Sequence, residues 1–128
     1  MKRLTVRAIS VQELEDLNAF VIALYDQKEM PMSWIEIQQP LTLNTQDQQL
    51  GLDTYCVTTN TGASHYGGIT SCILRGRVLR IEFSQPAGSV LGLGEALECY
   101  LLVPMTVITS LRFGLERMLQ NNVQCSSM

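Results

Sequence analysis

The hydrophobic period of this chain changes once, and the place of the change limits the fold. Through residue 103, apolar residues come in short runs or in alternation; after Pro104 they recur every fourth residue at Val107, Leu111, Leu115 and Leu119, with Ile108 and Met118 beside them. Alternation puts every second side chain on one face of a strand, whereas a four-residue recurrence draws a stripe down one face of a helix. Arg112, Glu116 and Arg117 fall mostly on the far side of that stripe. Strands in a run followed by one main helix form the pattern of an α+β fold. The expectation is a mostly antiparallel sheet of about six to eight strands. The C-terminal helix packs on a sheet face that would otherwise stay wet.

Local signals fill in this outline. Residues 3–9 alternate, with Leu4, Val6 and Ala8 on one face, and predict a half-buried strand. The continuous apolar run at residues 19–25 predicts a strand buried on both faces. Between them Ser10 stands three residues before Glu13, a capping-box spacing that leaves a helical turn or a polar loop open over residues 11–18. Met30-Pro31-Met32 interrupts the chain, Trp34 to Gln38 alternates, and Pro40 ends that strand or marks an edge. A polar loop at 44–50, a short strand at 55–59, a turn at Asn60-Thr61-Gly62 and a strand from 65 follow. Gly76 marks a tight hairpin, and Leu79, Ile81 and Phe83 line one face of the returning strand. Ser84, Pro86 and Gly92 then start and stop a short helix over 85–91, before an apolar strand at 97–103. The 128 residues suit one domain, residues 1–120, with residues 121–128 as a flexible tail.

Composition narrows the function. A chain that is 46% hydrophobic and 16% charged is too apolar to be disordered. A net charge of −3 argues against direct nucleic-acid binding, which needs a basic stripe to displace phosphate counterions. The charge is uneven: residues 1–64 carry four basic against eight acidic residues, and residues 65–128 carry five against four. Such a half either suits a basic partner or is simply solvated surface. Cys56, Cys72, Cys99 and Cys125 lack the spacing of a zinc site or a stapled scaffold, and His65 is the one imidazole, so free thiols and no metal are expected. Lys2-Arg3 could open a signal peptide, but Arg7, Glu13, Glu15 and Asp16 interrupt the apolar stretch it would need. No segment approaches 18 apolar residues, so a cytoplasmic protein without a membrane span is expected.

Motifs for chemistry are sparse. His65 with Cys56 or Cys72, oriented by Asp53, is the one thiol–imidazole arrangement, but cysteines in apolar strands usually serve the core. No phosphate-binding glycine loop occurs, and neither a catalytic set nor a cofactor is expected. The less ordinary stretch is Gly-Leu-Asp-Thr-Tyr-Cys at 51–56 followed by Gly-Ala-Ser-His-Tyr-Gly-Gly at 62–68. Paired across their turn, the two bring Asp53, Tyr55, His65 and Tyr66 into one region, and Gly67-Gly68 marks a bulge or a close backbone approach. The bland reading is a hairpin whose tyrosines pack; the sharper one is a ligand-binding or enzymatic cleft around His65, Asp53 and Tyr66.

These two segments, the hairpin that follows through residue 83 and the Ser-Gln-Pro-Ala-Gly-Ser-Val-Leu-Gly-Leu stretch at 84–93 resemble family ten of the bacterial immunity proteins found beside polymorphic toxins. A C-terminal helix over 105–119 fits as well, while residues 10–50 carry little of the likeness. The resemblance implies a non-enzymatic protein that binds and neutralises a cognate or related toxin, and it names no binding residue. The acidic N-terminal half would suit a basic nuclease toxin. Trp34, Tyr55 and Tyr66 are the aromatic anchor candidates, with Asp53 and His65 beside them. A subunit that dimerises through a sheet edge is a third reading, and the sequence leaves the oligomeric state open.

Overall fold

The structure, a computed structural model, describes residues 2–42, 55–119 and 123–126. Among these, ten strands, two α-helices and a 3-10 turn at Glu15–Leu17 build two five-stranded sheets around one apolar cluster. One sheet holds β1 (Lys2–Val6), β9 (Ala96–Leu101), β8 (Val78–Phe83), β7 (Ile69–Arg75) and β10 (Val123–Ser126), side by side in that order. Its two edge strands run parallel to their neighbours and its inner pairs run antiparallel, making it a mixed sheet. The other is an antiparallel meander of β2 (Ala8–Leu14), β3 (Ala19–Tyr25), β4 (Trp34–Pro40), β5 (Cys56–Thr59) and β6 (Ser64–Tyr66). The helices are α1 (Gln85–Leu91) and α2 (Met105–Leu119). The α+β class and both expected helices are therefore present, with the strands divided between two sheets.

The division happens at two corners. Residues 3–9 are not one strand: the chain turns at Arg7, whose N–H donates to Tyr25 O at 3.0 Å and whose guanidinium reaches Asp26 O at 3.3 Å. The corner reverses the parity of burial. Leu4 and Val6 point inward from β1 into the shared core, Ile9 and Val11 pack against that core from β2, and Ala8 lies on the outer parity. The turn left open over 11–18 shrinks to Glu15–Leu17, because Val11 is claimed by β2 opposite Ile22. Here pairing and burial override a local capping pattern. The second corner is Gly67-Gly68, where the chain leaves the antiparallel sheet for the mixed one. Gly68 has φ +96°, and a Cβ there would lie 2.4 Å from Ala87 Cβ on α1 and 3.1 Å from the His65 ring. Only glycine accepts both the backbone angle and that contact.

The C-terminal stripe does what its period implies. Ile108, Leu111, Leu115, Met118 and Leu119 are buried on one face of α2. Gly114 lies on that same face; a Cβ there would stand 3.1 Å from Val11 Cγ1 and 3.2 Å from Ile22 Cδ1, so the missing side chain lets the helix settle onto β2 and β3. Arg117 adds an ion pair with Glu13 and places its guanidinium 4.2 Å from the Phe20 ring centroid. The mixed sheet contributes Val6, Leu79, Ile81 and Leu101 to the same cluster, all fully buried. Each such side chain stabilises the fold by about 1.5–3 kcal/mol. At α1, Ser84 Oγ accepts from Ala87 N at 3.3 Å, Pro86 sits in the first turn and Gly92 closes the helix, as the sequence reads. Val123–Ser126 pair in parallel with Cys72–Arg75 as β10, an edge strand that no alternation in the sequence announces.

Candidate partner-binding face

Strand parity sorts the residues that the sequence brings together. The β5–β6 hairpin does set them side by side, with Cys56 opposite Tyr66 and Val57 opposite His65. Successive residues then point to opposite faces of the sheet. Tyr55 and His65 share the inner parity of the fully buried Val57, whereas Cys56 and Tyr66 share the outer one. Asp53 lies outside the described residues.

Tyr55 is 8% exposed, and its hydroxyl accepts from Ile69 N at 2.9 Å and donates to Ile69 O at 3.4 Å. Ile69 opens β7, so this phenol ties one sheet to the other. Burial pushes its ionisation above the ordinary tyrosine value, and the nearby Cys72 adds to that against the opposing effect of the Ile69 hydrogen bond. His65 is half-buried, with Nδ1 3.2 Å from Gly67 O at the corner. Cys56 and His65 do not form a thiol–imidazole pair, because they point to opposite faces of the sheet. Cys72 is fully buried on the inner face of the mixed sheet. Cys56, Cys72 and Cys99 form no disulfide, and burial pushes the Cys99 thiol up to about 12, with Glu98 adding a smaller push. The described residues contain no group of His, Cys, Asp and Glu that could hold a metal ion. His65 and Tyr66 point to opposite faces of the sheet.

Trp34 and Tyr66 instead lie on the outer face of the antiparallel sheet. The register lays four rows across it: Ala8, Tyr25 and Trp34; then Ser10, Ala23, Glu36, Thr58 and Ser64; then Gln12, Val21, Gln38, Cys56 and Tyr66; then Leu14, Ala19 and Pro40. Tyr25 is a member that sequence reasoning missed, since it ended an apolar run read as buried on both faces. Burial, with the Glu36 carboxylate beside it, holds the Tyr25 phenol above its ordinary ionisation value. The β3–β4 turn borders the Trp34 end. It is closed by Asp26 N to Ser33 O at 2.9 Å, Met32 N to Asp26 Oδ1 at 3.0 Å and Gln27 Nε2 to Met30 O at 2.7 Å. Met30 takes a left-handed backbone with φ 50°, a strain that those bonds hold in place. The signal for this turn was the Met-Pro-Met between two strands, which reads in sequence only as a break.

The charge asymmetry between the sequence halves becomes an asymmetry between sheets. Over residues 8–42 and 55–66, Glu13, Glu15, Asp16, Asp26, Glu29 and Glu36 stand against Lys28. Over residues 2–7 and 69–103, Lys2, Arg3, Arg7, Arg75, Arg77 and Arg80 stand against Glu82, Glu95 and Glu98. Several clefts adjoin the acidic sheet among the described residues. One of about 300 Å³ lies between the sheets and α1, lined by Lys2, Arg3, Trp34, Asn60, Val90 and Leu93 among others. A smaller one of about 90 Å³ joins Leu17, Pro40, Gln38, Cys56 and Tyr66. None of the described helices is long and apolar enough to cross a membrane.

Comparison with curated proteins and with solved structures finds no match. Comparison with protein-family models does: the model described as Immunity protein 10 matches residues 5–108, which span both sheets' central strands and the start of α2. This covers most of the chain and includes the segments 51–56 and 62–68 that carried the resemblance. The chain belongs to the Immunity protein 10 family.

Proposed function

We propose that this protein neutralises a bacterial toxin by binding it, without catalysis, in the cytoplasm of the cell that makes both. The family match over residues 5–108 carries the reading. The geometry supports it in a second way. The residues that looked chemical in the sequence are used by the fold, Tyr55 between the sheets and His65 at the corner. What the molecule offers outward on the antiparallel sheet is an acidic surface with aromatic side chains. Such a surface fits a basic toxin, and a nuclease is the class whose own substrate demands a basic face.

The test is co-expression. The toxic C-terminal domain encoded beside this gene is induced with and without this chain, and surviving cells are counted. Rescue accompanied by co-purification of a stable complex is the expected result. Toxicity that the chain does not relieve would sink the reading.

A further inference from the structure

The two sheets turn very different outer faces to their surroundings. On the mixed sheet, the carboxylates of Glu82 and Glu98 are paired in place. Arg80 lies 3.3 Å from Glu82 and 4.0 Å from Glu98, and Tyr100 donates to Glu98 at 2.5 Å. The acids of the antiparallel sheet are placed differently. Glu36 stands within its outer face, Glu15 and Asp16 at one end and Asp26 and Glu29 at the other, and no ion pair joins any of them to the described residues.

Exposed apolar side chains stand at both ends of this face. Leu17 is 73% exposed and Tyr66 51% at one end, and Met30 is 86% and Met32 76% at the other. Val90, Leu102, Met105 and Phe113, on the two helices and just after β9, are the other exposed large apolar residues among the described ones. The methionines sit on a turn that three hydrogen bonds already hold, so presenting them to a partner costs little further ordering. Methionine also adapts its shape to an irregular apolar surface. A seven-residue strand is about 20 Å long and five strands span about 19 Å, a footprint of about 380 Å², so the bordering turns must supply the rest of the about 800 Å² per partner that a standard interface buries.

We propose that this face, from Leu17 and Tyr66 to Met30, Met32 and Trp34, is the surface that binds the toxin, and that the toxin surface it takes is basic with apolar recesses. The inference rests on the neutralising function proposed above. Carboxylates that no cation pairs within the described residues gain one on binding, which steers encounter and makes it salt-dependent, while the apolar anchors slow release.

The experiment measures association and dissociation rates of the purified chain with the toxic domain that it protects against. Tyr66→Ala and the double variant Met30→Ser/Met32→Ser probe the anchors, and Glu36→Lys probes the charge. Glu82→Lys makes the same charge change on the mixed sheet and is the control, with circular dichroism confirming that each variant folds. The anchor variants should speed dissociation about tenfold or more, within the range of interface hot spots. Glu36→Lys should slow association about tenfold at low salt, with the difference shrinking in about 0.5 M salt. Glu82→Lys should stay within about twofold of wild type, as exposed charges away from an interface do. If wild type neutralises the toxin while the three face variants bind as it does, the surface is wrong and the function stands. If wild type neither neutralises nor binds, function and surface fall together.

Discussion

Replacing Tyr55 with Phe separates a residue of the fold from a residue of the interface. The ring stays and no cavity opens, so the change removes only the hydroxyl. Two hydrogen bonds go with it, from Ile69 N at 2.9 Å and to Ile69 O at 3.4 Å. The longer bond is near the geometric limit and contributes little. The shorter one matters, because Ile69 is 3% exposed and its N–H is left buried without an acceptor. An orphaned buried donor costs about 1–3 kcal/mol. For a chain of this length each kcal/mol lowers Tm by about 3–5 °C, so a fall of about 3–15 °C is expected in a thermal melt followed by circular dichroism. Toxin affinity, measured well below that melt, should stay within about twofold, since Tyr55 has almost no surface to offer a partner. An unchanged Tm would refute the clasp between sheets. An unchanged Tm with lost affinity would return Tyr55 to the interface.

Further expectations follow from the same geometry. Gly68→Ala forces a Cβ to 2.4 Å from Ala87 Cβ at a left-handed φ, and should cost about 2–4 kcal/mol in urea unfolding. Gly114→Val drives a branched side chain between α2 and the Val11–Ile22 pair, and should cost about 1–3 kcal/mol by the same assay. Stability should fall in alkali: the Cys99 thiol is raised in the folded state from 9.0 to about 12, so its contribution is present below pH 9 and is lost as pH rises toward 12. At pH 11 that loss is about 2–3 kcal/mol, and Cys99→Val, compared with wild type at pH 8 and pH 11, should show a correspondingly smaller drop. Tyr55, whose folded value is also raised, acts in the same direction above pH 10.

The parts of this fold that were legible in the sequence are those set by local period and punctuation. The α2 stripe, the Ser84 cap and the Gly76 hairpin each need only their own neighbours to be read. What was not legible depends on where the chain changes sheets. At Arg7 the alternation of residues 3–9 continues through a corner without a glycine or proline to mark it, so one strand stood for two. Gly114 sits among better helix formers and shows its purpose only against Val11 and Ile22. The candidate site depends on the same long-range geometry. Pairing of 51–56 with 62–68 was readable for its described part, and parity sends Tyr55 and His65 inward and Tyr66 outward. Trp34 and Tyr66 share a face with Tyr25, Glu36 and the Met30–Met32 turn, none of which forms a motif. A face assembled from several strands and turns leaves no contiguous trace in a single sequence.

The central claim is neutralisation by binding, and stoichiometry tests it most directly. The toxic domain's activity is measured against increasing amounts of this chain, after full equilibration. A binding inhibitor gives a straight decline to zero at equivalence, and activity returns when the toxic domain is denatured, separated and refolded. Loss of activity at amounts far below equivalence, or a toxin that stays inactive after separation, would contradict the claim and show that this chain acts as a catalyst on its partner.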